Sequence, residues 1–255
     1  MNRQYIERVR LSSPIERSSY LCELPVIRYL ERAGGLTFSK NVTFLVGENG
    51  TGKSTLLEAI AMAAGFNAEG GSRHYHFATS DTHSELFQHL TLSRAAHPRD
   101  GFFLRAESFY NAASYLNALD GISAVSPKLM DAYGGKSLHE QSHGESFLAL
   151  IRNRFRGNGL YLLDEPEAAL SPTRLLSLLV CIHDLVGDHS QFIIATHSPI
   201  LMAYPGAEVL ELSESGIESV DYRQTAHYQL TLRFLVNPDK MLRQLFEGDA
   251  VSDDF

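Results

Sequence analysis

The chain has 255 residues, 44% of them hydrophobic, so it can bury the core of one large α/β domain or of two small ones. Its formal net charge of −8 disfavours nucleic-acid binding by bulk electrostatics, although a local basic groove would escape this argument. The chain has two distant cysteines, which predicts a cytoplasmic protein without a disulfide framework. Its first residues are charged, so no signal peptide is expected. No apolar run approaches the ~18 residues of a membrane span, so no membrane insertion is expected.

Residues 1–46 predict a β-rich N-terminal part. Apolar runs at residues 5–11, 20–24 and 42–46 are typical of strands, and residues 25–33 favour a short helix. The third strand leads directly into a glycine-rich loop.

Residues 47–54 spell G-x-x-x-x-G-K-S, between that strand and a helix predicted at residues 55–64. Such a loop aims backbone N–H groups and a helix N-terminus at phosphates. Lys53 supplies positive charge for the β- and γ-phosphates, and the Ser54 hydroxyl is a ligand for Mg²⁺. A chance glycine-rich turn is the alternative, which the flanking strand and helix disfavour. The motif predicts nucleoside triphosphate binding through Gly47, Asn49, Gly50, Thr51, Gly52, Lys53, Ser54 and Thr55.

Polar residues follow the strand predicted at residues 102–104. Because α/β sheets bind ligands at the carboxyl ends of their strands, Glu107 is a candidate ligand-contacting residue. The alternative is that Glu107 is a helix-start carboxylate favoured by the helix dipole. Both interpretations stay open at this point.

Residues 142–147 lead into an amphipathic helix, and Ser142 with Glu145 spells the helix capping box S-x-x-E. Capping explains both residues structurally. The same geometry, a capped helix start beside Gly144, also makes an anion site. The two interpretations are compatible.

Residues 159–166 form the second informative stretch, an apolar strand that ends in Asp164 and Glu165. Neighbouring side chains on a strand point in opposite directions, so one carboxylate can hold Mg²⁺ while the other orients or deprotonates water. The alternative is a solvated strand end, which the phosphate loop upstream disfavours.

The remaining chain continues the alternation of strands and helices. Ser171 and Pro172 are typical of a helix start, and residues 175–186 are apolar nearly all round, so we expect a well-covered helix. A buried strand at residues 191–196 delivers His197, a candidate γ-phosphate contact, although a lone histidine is usually structural. A hairpin at residues 208–222 and one or two closing helices at 228–246 complete the chain.

In this order the motifs resemble those of ABC-type ATPases, and within them the soluble Rad50, RecF and OLD-like branch, especially small stand-alone bacterial predicted AAA-family ATPases. Nearly the whole chain takes part in the resemblance, which implies one P-loop domain over residues 1–255. The implied fold is α/β, with a mostly parallel central sheet, an N-terminal antiparallel β part and a helical signature-motif part at about residues 105–157.

The resemblance also assigns roles. Asp164 and Ser54 would hold Mg²⁺, Glu165 would be the catalytic carboxylate, and His197 would be the switch histidine. In the signature loop, Ser142, Gly144 and Glu145 would act on the ATP of a partner subunit in a head-to-tail homodimer. His143 and Glu145 depart from the family's L-S-G-G-Q pattern, which affects the expected turnover rate. No Q-loop glutamine stands at the expected position, and Glu107 is the candidate substitute.

The leading hypothesis is an ATPase in which ATP and Mg²⁺ close a homodimer and hydrolysis opens it, acting on an unknown protein partner in DNA-linked repair or defence. The resemblance alone supports DNA as a partner. One alternative is the ATP-binding energy subunit of a membrane transporter, and another is a non-hydrolytic nucleotide sensor or scaffold.

Overall fold

The computed structural model describes residues 4–68, 70–72, 84–107, 109 and 143–247. In chain order its strands are β1 (Arg8–Leu11), β2 (Leu36–Thr37), β3 (Val42–Val46), β4 (Leu90–Ser93), β5 (Asp100–Arg105), β6 (Gly159–Asp164), β7 (Gln191–Ala195), β8 (Glu208–Ser213) and β9 (Gly216–Ser219). Its α-helices are α1 (Pro25–Ala33), α2 (Lys53–Ala63), α3 (His143–Arg154), α4 (Pro172–Gly187), α5 (Pro199–Met202), α6 (Ala226–Val236) and α7 (Pro238–Glu247).

The central sheet has the strand order β5-β6-β7-β3-β8-β9, and all of its pairings are parallel except the β8–β9 hairpin. Its register aligns four residues in a row across neighbouring strands: Leu45, Ala195, Asp164 and Arg105. The carboxyl ends of β3, β7, β6 and β5 therefore meet at one edge, where an α/β sheet places its ligand.

The two faces of the central sheet bury separate cores, because successive side chains of a strand point in opposite directions. One face packs against α1, α2 and the small N-terminal sheet, and includes Leu45, Leu162 and Ile193. The other packs against α3, α4 and α5, and includes Phe44, Tyr161 and Phe192. The mostly parallel α/β architecture expected from the sequence is confirmed.

The expected N-terminal antiparallel part is a three-stranded sheet in the order β2-β1-β4. Gln191, fully buried at the start of β7, fixes the chain leading into this sheet to the central one. Its side-chain oxygen accepts from the backbone N–H groups of Tyr5 (2.8 Å) and Ile6 (2.9 Å), and its amide donates to the carbonyl of Ile6 (2.9 Å).

Two of the predicted elements differ in kind. Residues 20–24 form a 3₁₀ helix at Tyr20–Glu23 instead of a strand, because the Ser19 hydroxyl caps the turn by accepting from the N–H of Leu21. Residues 84–92, whose sequence pattern favours a short helix, form a 3₁₀ turn at Glu85–His89 that passes directly into β4. Sequence pattern alone separates short turns poorly from strands because both bury isolated apolar residues.

Helix α4 is less covered than its composition predicts. Leu175, Leu178 and Ile182 are buried, but Leu176 and Val180 are 57% and 60% exposed. The sheet contacts only one side of this helix. The closing segment forms two helices, α6 and α7, separated at Asn237 just before Pro238. Of the helical part expected near residues 105–157, the structure describes only 105–107, 109 and 143–157.

Candidate functional site

The loop between β3 and α2 depends on glycine at two positions. Gly47 has φ +135°, and a Cβ there would lie 2.1 Å from the backbone oxygen of Leu212. Gly52 has φ +94°, and its Cβ would lie 2.5 Å from Cγ1 of Val26. Both the backbone conformation and the space therefore select glycine. Any larger residue at either position would therefore displace the loop.

Lys53 is buried at the first position of α2. Its Nζ donates to the backbone oxygens of Gly47 (2.7 Å) and Glu48 (2.9 Å), so the ammonium group lies within the loop. Burial lowers the pKa of Lys53, while the carboxylates of Glu165 and Glu48 act in the opposite direction. A buried cation surrounded by backbone oxygens can exchange those contacts for an anionic ligand.

The other loop residues predicted to contact the nucleotide fall into two groups. Thr51 is buried, and its hydroxyl donates to the backbone oxygen of Glu48 at 2.9 Å, which stabilises the turn. Asn49 and Gly50 are exposed, and Thr55 is half-buried in the first turn of α2. These residues surround a helix N-terminus of the kind that binds phosphate.

The structure brings together the two residues predicted to hold Mg²⁺. Ser54 Oγ donates to Asp164 Oδ1 at 2.9 Å, although the residues are 110 positions apart in the chain. Burial raises the pKa of Asp164, and the positive charge of Arg105 and the hydrogen bond from Ser54 act in the opposite direction. Mg²⁺ usually takes only one or two oxygen ligands from a protein, and substrate phosphates and water supply the others. The oxygens of Ser54 and Asp164, beside the phosphate loop, match this requirement. The residues present therefore fit a magnesium nucleotide.

Arg105, at the end of β5, is a site residue that the sequence analysis missed. Its Nε donates to Asp164 Oδ2 at 3.1 Å, and its Nη1 donates to Glu58 Oε2 at 2.9 Å. Glu107, the predicted substitute for the Q-loop residue, is exposed two positions later. The signal that could have identified Arg105 is its register, because it ends β5 beside the residue that ends β6.

Glu165 and His197 follow β6 and β7 and face each other. Glu165 has φ +48° and ψ +52°, a left-handed conformation uncommon for a residue other than glycine. Its carboxylate is 44% exposed, and Oε1 lies 3.7 Å from Nε2 of His197. Burial, followed by the charge of Lys53, lowers the pKa of His197, while Glu165 acts to raise it.

Glu167 is a second residue that the sequence analysis missed. Its Oε1 accepts from the Thr196 hydroxyl (2.7 Å) and from the backbone N–H of His197 (2.5 Å). Burial raises the pKa of Glu167, against these hydrogen bonds. The segment after β6 therefore holds the backbone of the loop after β7, and no local sequence pattern indicates this contact.

The predicted signature residues are only partly described. Gly144 is buried in the first turn of α3, where a Cβ would lie 2.6 Å from Arg174 Nη1 and 3.0 Å from the backbone oxygen of Ala169. Glu145 is exposed and forms an ion pair with Arg174 at 3.1 Å. Ser142, and with it the predicted capping box, lies outside the described residues.

A parallel sheet that places a phosphate loop, an Mg²⁺-competent serine–aspartate pair and a second carboxylate at one edge defines a P-loop nucleotide-binding fold. Two family models match the chain. One, described as an AAA domain, matches residues 27–89, and another, described as an AAA domain of a putative AbiEii toxin of a type IV toxin–antitoxin system, matches residues 136–203. These two matched segments support an ATPase of the AAA/ABC type.

The solved structures to which the chain is similar share little sequence with it. CbiO1 of Clostridium perfringens, part of an ABC transporter complex, is 14% identical, with 96% of this chain and 100% of that chain covered and a TM-score of 0.47. An ATP-binding cassette of an ABC transporter in its ADP conformation is 15% identical (91% and 99% covered, TM-score 0.49). The SMC head domain of Thermotoga maritima is 15% identical (86% and 99% covered, TM-score 0.43).

At TM-scores below 0.5, these similarities carry no argument about the class of the protein. No curated protein sequence matches the chain. Among the residues that the structure describes, no helix has the length and apolar character needed to cross a bilayer. Within the same residues, no group of three or more His, Cys, Asp and Glu side chains could hold a metal ion.

Proposed function

We propose that this chain binds ATP with Mg²⁺ and hydrolyses it. The observation that carries the proposal is the 2.9 Å contact between Ser54 and Asp164, which joins the phosphate loop to the carboxylate pair. Lys53 and the N–H groups at the start of α2 would neutralise the phosphates. Ser54 and Asp164 would hold Mg²⁺, which neutralises the developing phosphate charge when it is bound.

Glu165 is proposed as the general base. Its carboxylate is partly exposed and can therefore reach a water molecule beside the terminal phosphate. His197, whose pKa burial lowers, would be neutral at pH 7 and could donate one ring N–H to a γ-phosphate oxygen. Its backbone, held by Glu167, keeps the ring beside Glu165.

We further propose that ATP closes a head-to-tail homodimer. The signature residues Ser142, Gly144 and Glu145 of one subunit would then cover the nucleotide of the other, as the family resemblance implies. Glu145 stands where the family pattern has glutamine, and its carboxylate forms an ion pair with Arg174. Opening of the dimer after hydrolysis would be the output, passed to a protein partner.

The biological setting is proposed as defence or DNA-linked repair in the cytoplasm. The matching family description, a putative toxin of a toxin–antitoxin system, supports defence. Direct DNA binding would need a local basic groove, because the net charge is −8. A protein partner is therefore favoured over DNA as the first target.

The test is the solution mass of Glu165→Gln, measured by light scattering with and without Mg-ATP, alongside ATP binding and turnover. We expect ATP binding, a monomer-to-dimer shift only with ATP, and turnover at least ~100-fold below wild type, since a positioned general base is lost. Lys53→Ala should bind no ATP, and Ser142→Arg on the Glu165→Gln background should bind ATP as a monomer.

Each component can fail separately. A wild-type chain that binds no ATP refutes the nucleotide proposal. Binding without turnover by wild type would favour a non-hydrolytic sensor, and unchanged turnover by Glu165→Gln would assign the base elsewhere. ATP binding without any dimer would refute the head-to-tail switch.

A further inference from the structure

The first turn of α6 contacts the candidate switch histidine directly. His197 Nδ1 lies 2.8 Å from His227 Nε2, and the two rings meet edge to face with centroids 4.8 Å apart. The opposite nitrogen of His197, Nε2, lies 3.7 Å from Oε1 of Glu165. The three side chains thus form a line from the C-terminal helices to the candidate general base.

His227 is held by the start of its helix. Thr225 is fully buried, its hydroxyl donates to the backbone oxygen of Tyr222 at 2.7 Å, and its oxygen caps α6 by accepting from the N–H of Tyr228. From residue 229 to residue 236 every side chain of α6 is exposed. Among the described residues, it is the beginning of this helix that is anchored to the domain, and this first turn carries His227.

The surroundings of the two rings decide which nitrogen carries the proton. A neutral imidazole has one N–H and one lone pair. His227 Nδ1 is buried and has no hydrogen-bond partner among the described residues. A buried N–H without an acceptor is rarer and less favourable than a buried lone pair without a donor. These contacts are best satisfied when His227 carries its proton on Nε2 and donates it to Nδ1 of His197.

We propose that His227 is a positioning residue that holds His197 in the tautomer with the proton on Nε2. That N–H then faces the side where Glu165 lies and where the terminal phosphate would bind. The assignment of the phosphate rests on the proposed function, but the tautomer does not. Because of this hydrogen bond, a displacement of α6 would move the ring of His197 at the nucleotide site.

The tautomer can be measured in the nucleotide-free full chain by ¹H–¹⁵N correlation spectra of labelled histidine side chains, with His197→Gln and His227→Gln assigning the signals. We expect an unprotonated Nδ1 and a protonated Nε2 in both rings. In His227→Phe, the Nδ1 shift of His197 should move toward that of a free imidazole. A protonated Nδ1 on His197 in the wild-type chain would overturn the proposal.

Kinetics then separate positioning from simple packing. We expect His227→Phe to lower kcat roughly tenfold with KM within about twofold, the scale of one lost hydrogen bond to a reacting group. His227→Gln keeps a donor at the same reach and should recover most of the rate. The control His183→Phe, at an exposed histidine that contacts the Tyr204 hydroxyl away from the site, should be unchanged.

A double-mutant cycle completes the test. If His227 acts through His197, His227→Phe should cause no further loss of kcat in a His197→Gln background. Equal losses in both backgrounds, or no recovery in His227→Gln, would show a merely structural role and overturn the proposal. A wild-type chain without ATP turnover would refute the proposed function, while the measured tautomer would still decide the assignment of the proton.

Discussion

At the scale of single residues, Asp164 has both carboxylate oxygens engaged before any ligand is considered. Ser54 donates to one oxygen and Arg105 to the other, and Arg105 also reaches the buried carboxylate of Glu58. Two acids in the interior are tolerated because one guanidinium serves both. Arg105 binds only Oδ2, so a cation would compete with Ser54 for Oδ1 and not with the guanidinium.

We predict that Arg105→Leu lowers the free energy of unfolding by about 3 kcal/mol, since it leaves two buried carboxylates without their cation. The free energy of unfolding of Arg105→Lys should lie between those of the wild type and of Arg105→Leu, because an ammonium group cannot contact both carboxylates as the planar guanidinium group does. Urea unfolding of the nucleotide-free chain measures both changes.

The matched control is Arg223→Leu, which removes an exposed ion pair with Asp221 whose side chains are 62% and 52% exposed. Such a pair contributes at most about 1 kcal/mol. If Arg105→Leu cost no more than this control, the proposed charge balance around Asp164 would be wrong.

At the scale of elements, the phosphate loop is shaped by its neighbours as well as by its own glycines. The backbone of β8 passes beside Gly47, and a side chain of α1 passes beside Gly52. The loop therefore keeps its form only while β8 and α1 are in place.

We predict that Gly47→Ala lowers the free energy of unfolding by at least about 2 kcal/mol and weakens ATP binding, because the backbone conformation and the oxygen of Leu212 both oppose a Cβ. Gly206→Ala is the control, since its φ is +74° but nothing lies within 4 Å of the added atom. That control should cost about 1 kcal/mol and leave ATP binding unchanged. Thermal or urea unfolding and nucleotide titration give both quantities, and equal losses would contradict the steric argument.

At the scale of the whole molecule, Gln191 supplies three hydrogen bonds from a fully buried position in the central sheet to the chain that leads into the N-terminal sheet. It lies at the amino end of β7, while His197 follows the carboxyl end of the same strand. The strand that delivers the candidate switch histidine therefore also anchors the N-terminal segment.

Gln191→Met keeps the length of the side chain but removes its acceptor and donor. We predict a loss of about 3 kcal/mol in the free energy of unfolding, because buried backbone groups of Tyr5 and Ile6 lose their partner. The exposed Gln88→Met should change it by no more than ~0.5 kcal/mol. A small effect at position 191 would mean that water replaces the lost bonds.

The sequence by itself determined the local parts of this protein. The phosphate loop, the apolar strand ending in Asp164 and Glu165, and the strand before His197 were all predicted, because each depends on a few consecutive residues and their pattern. The mostly parallel sheet was implied by the resemblance to ABC-type ATPases and is confirmed by the strand order. The turn at Tyr20–Glu23 was missed because capping by Ser19 competes with strand formation over a few residues.

Only the tertiary structure decided which distant side chains meet. Arg105, Glu167 and His227 carry no motif. Strand register places Arg105, the turn after β6 places Glu167, and the first turn of α6, which contacts the loop after β7, places His227. The exposure of α4 was likewise decided by which side the sheet covers. Such contacts join residues tens of positions apart, so no local pattern can encode them, and they set the charge and the orientation of the groups that the motifs supply.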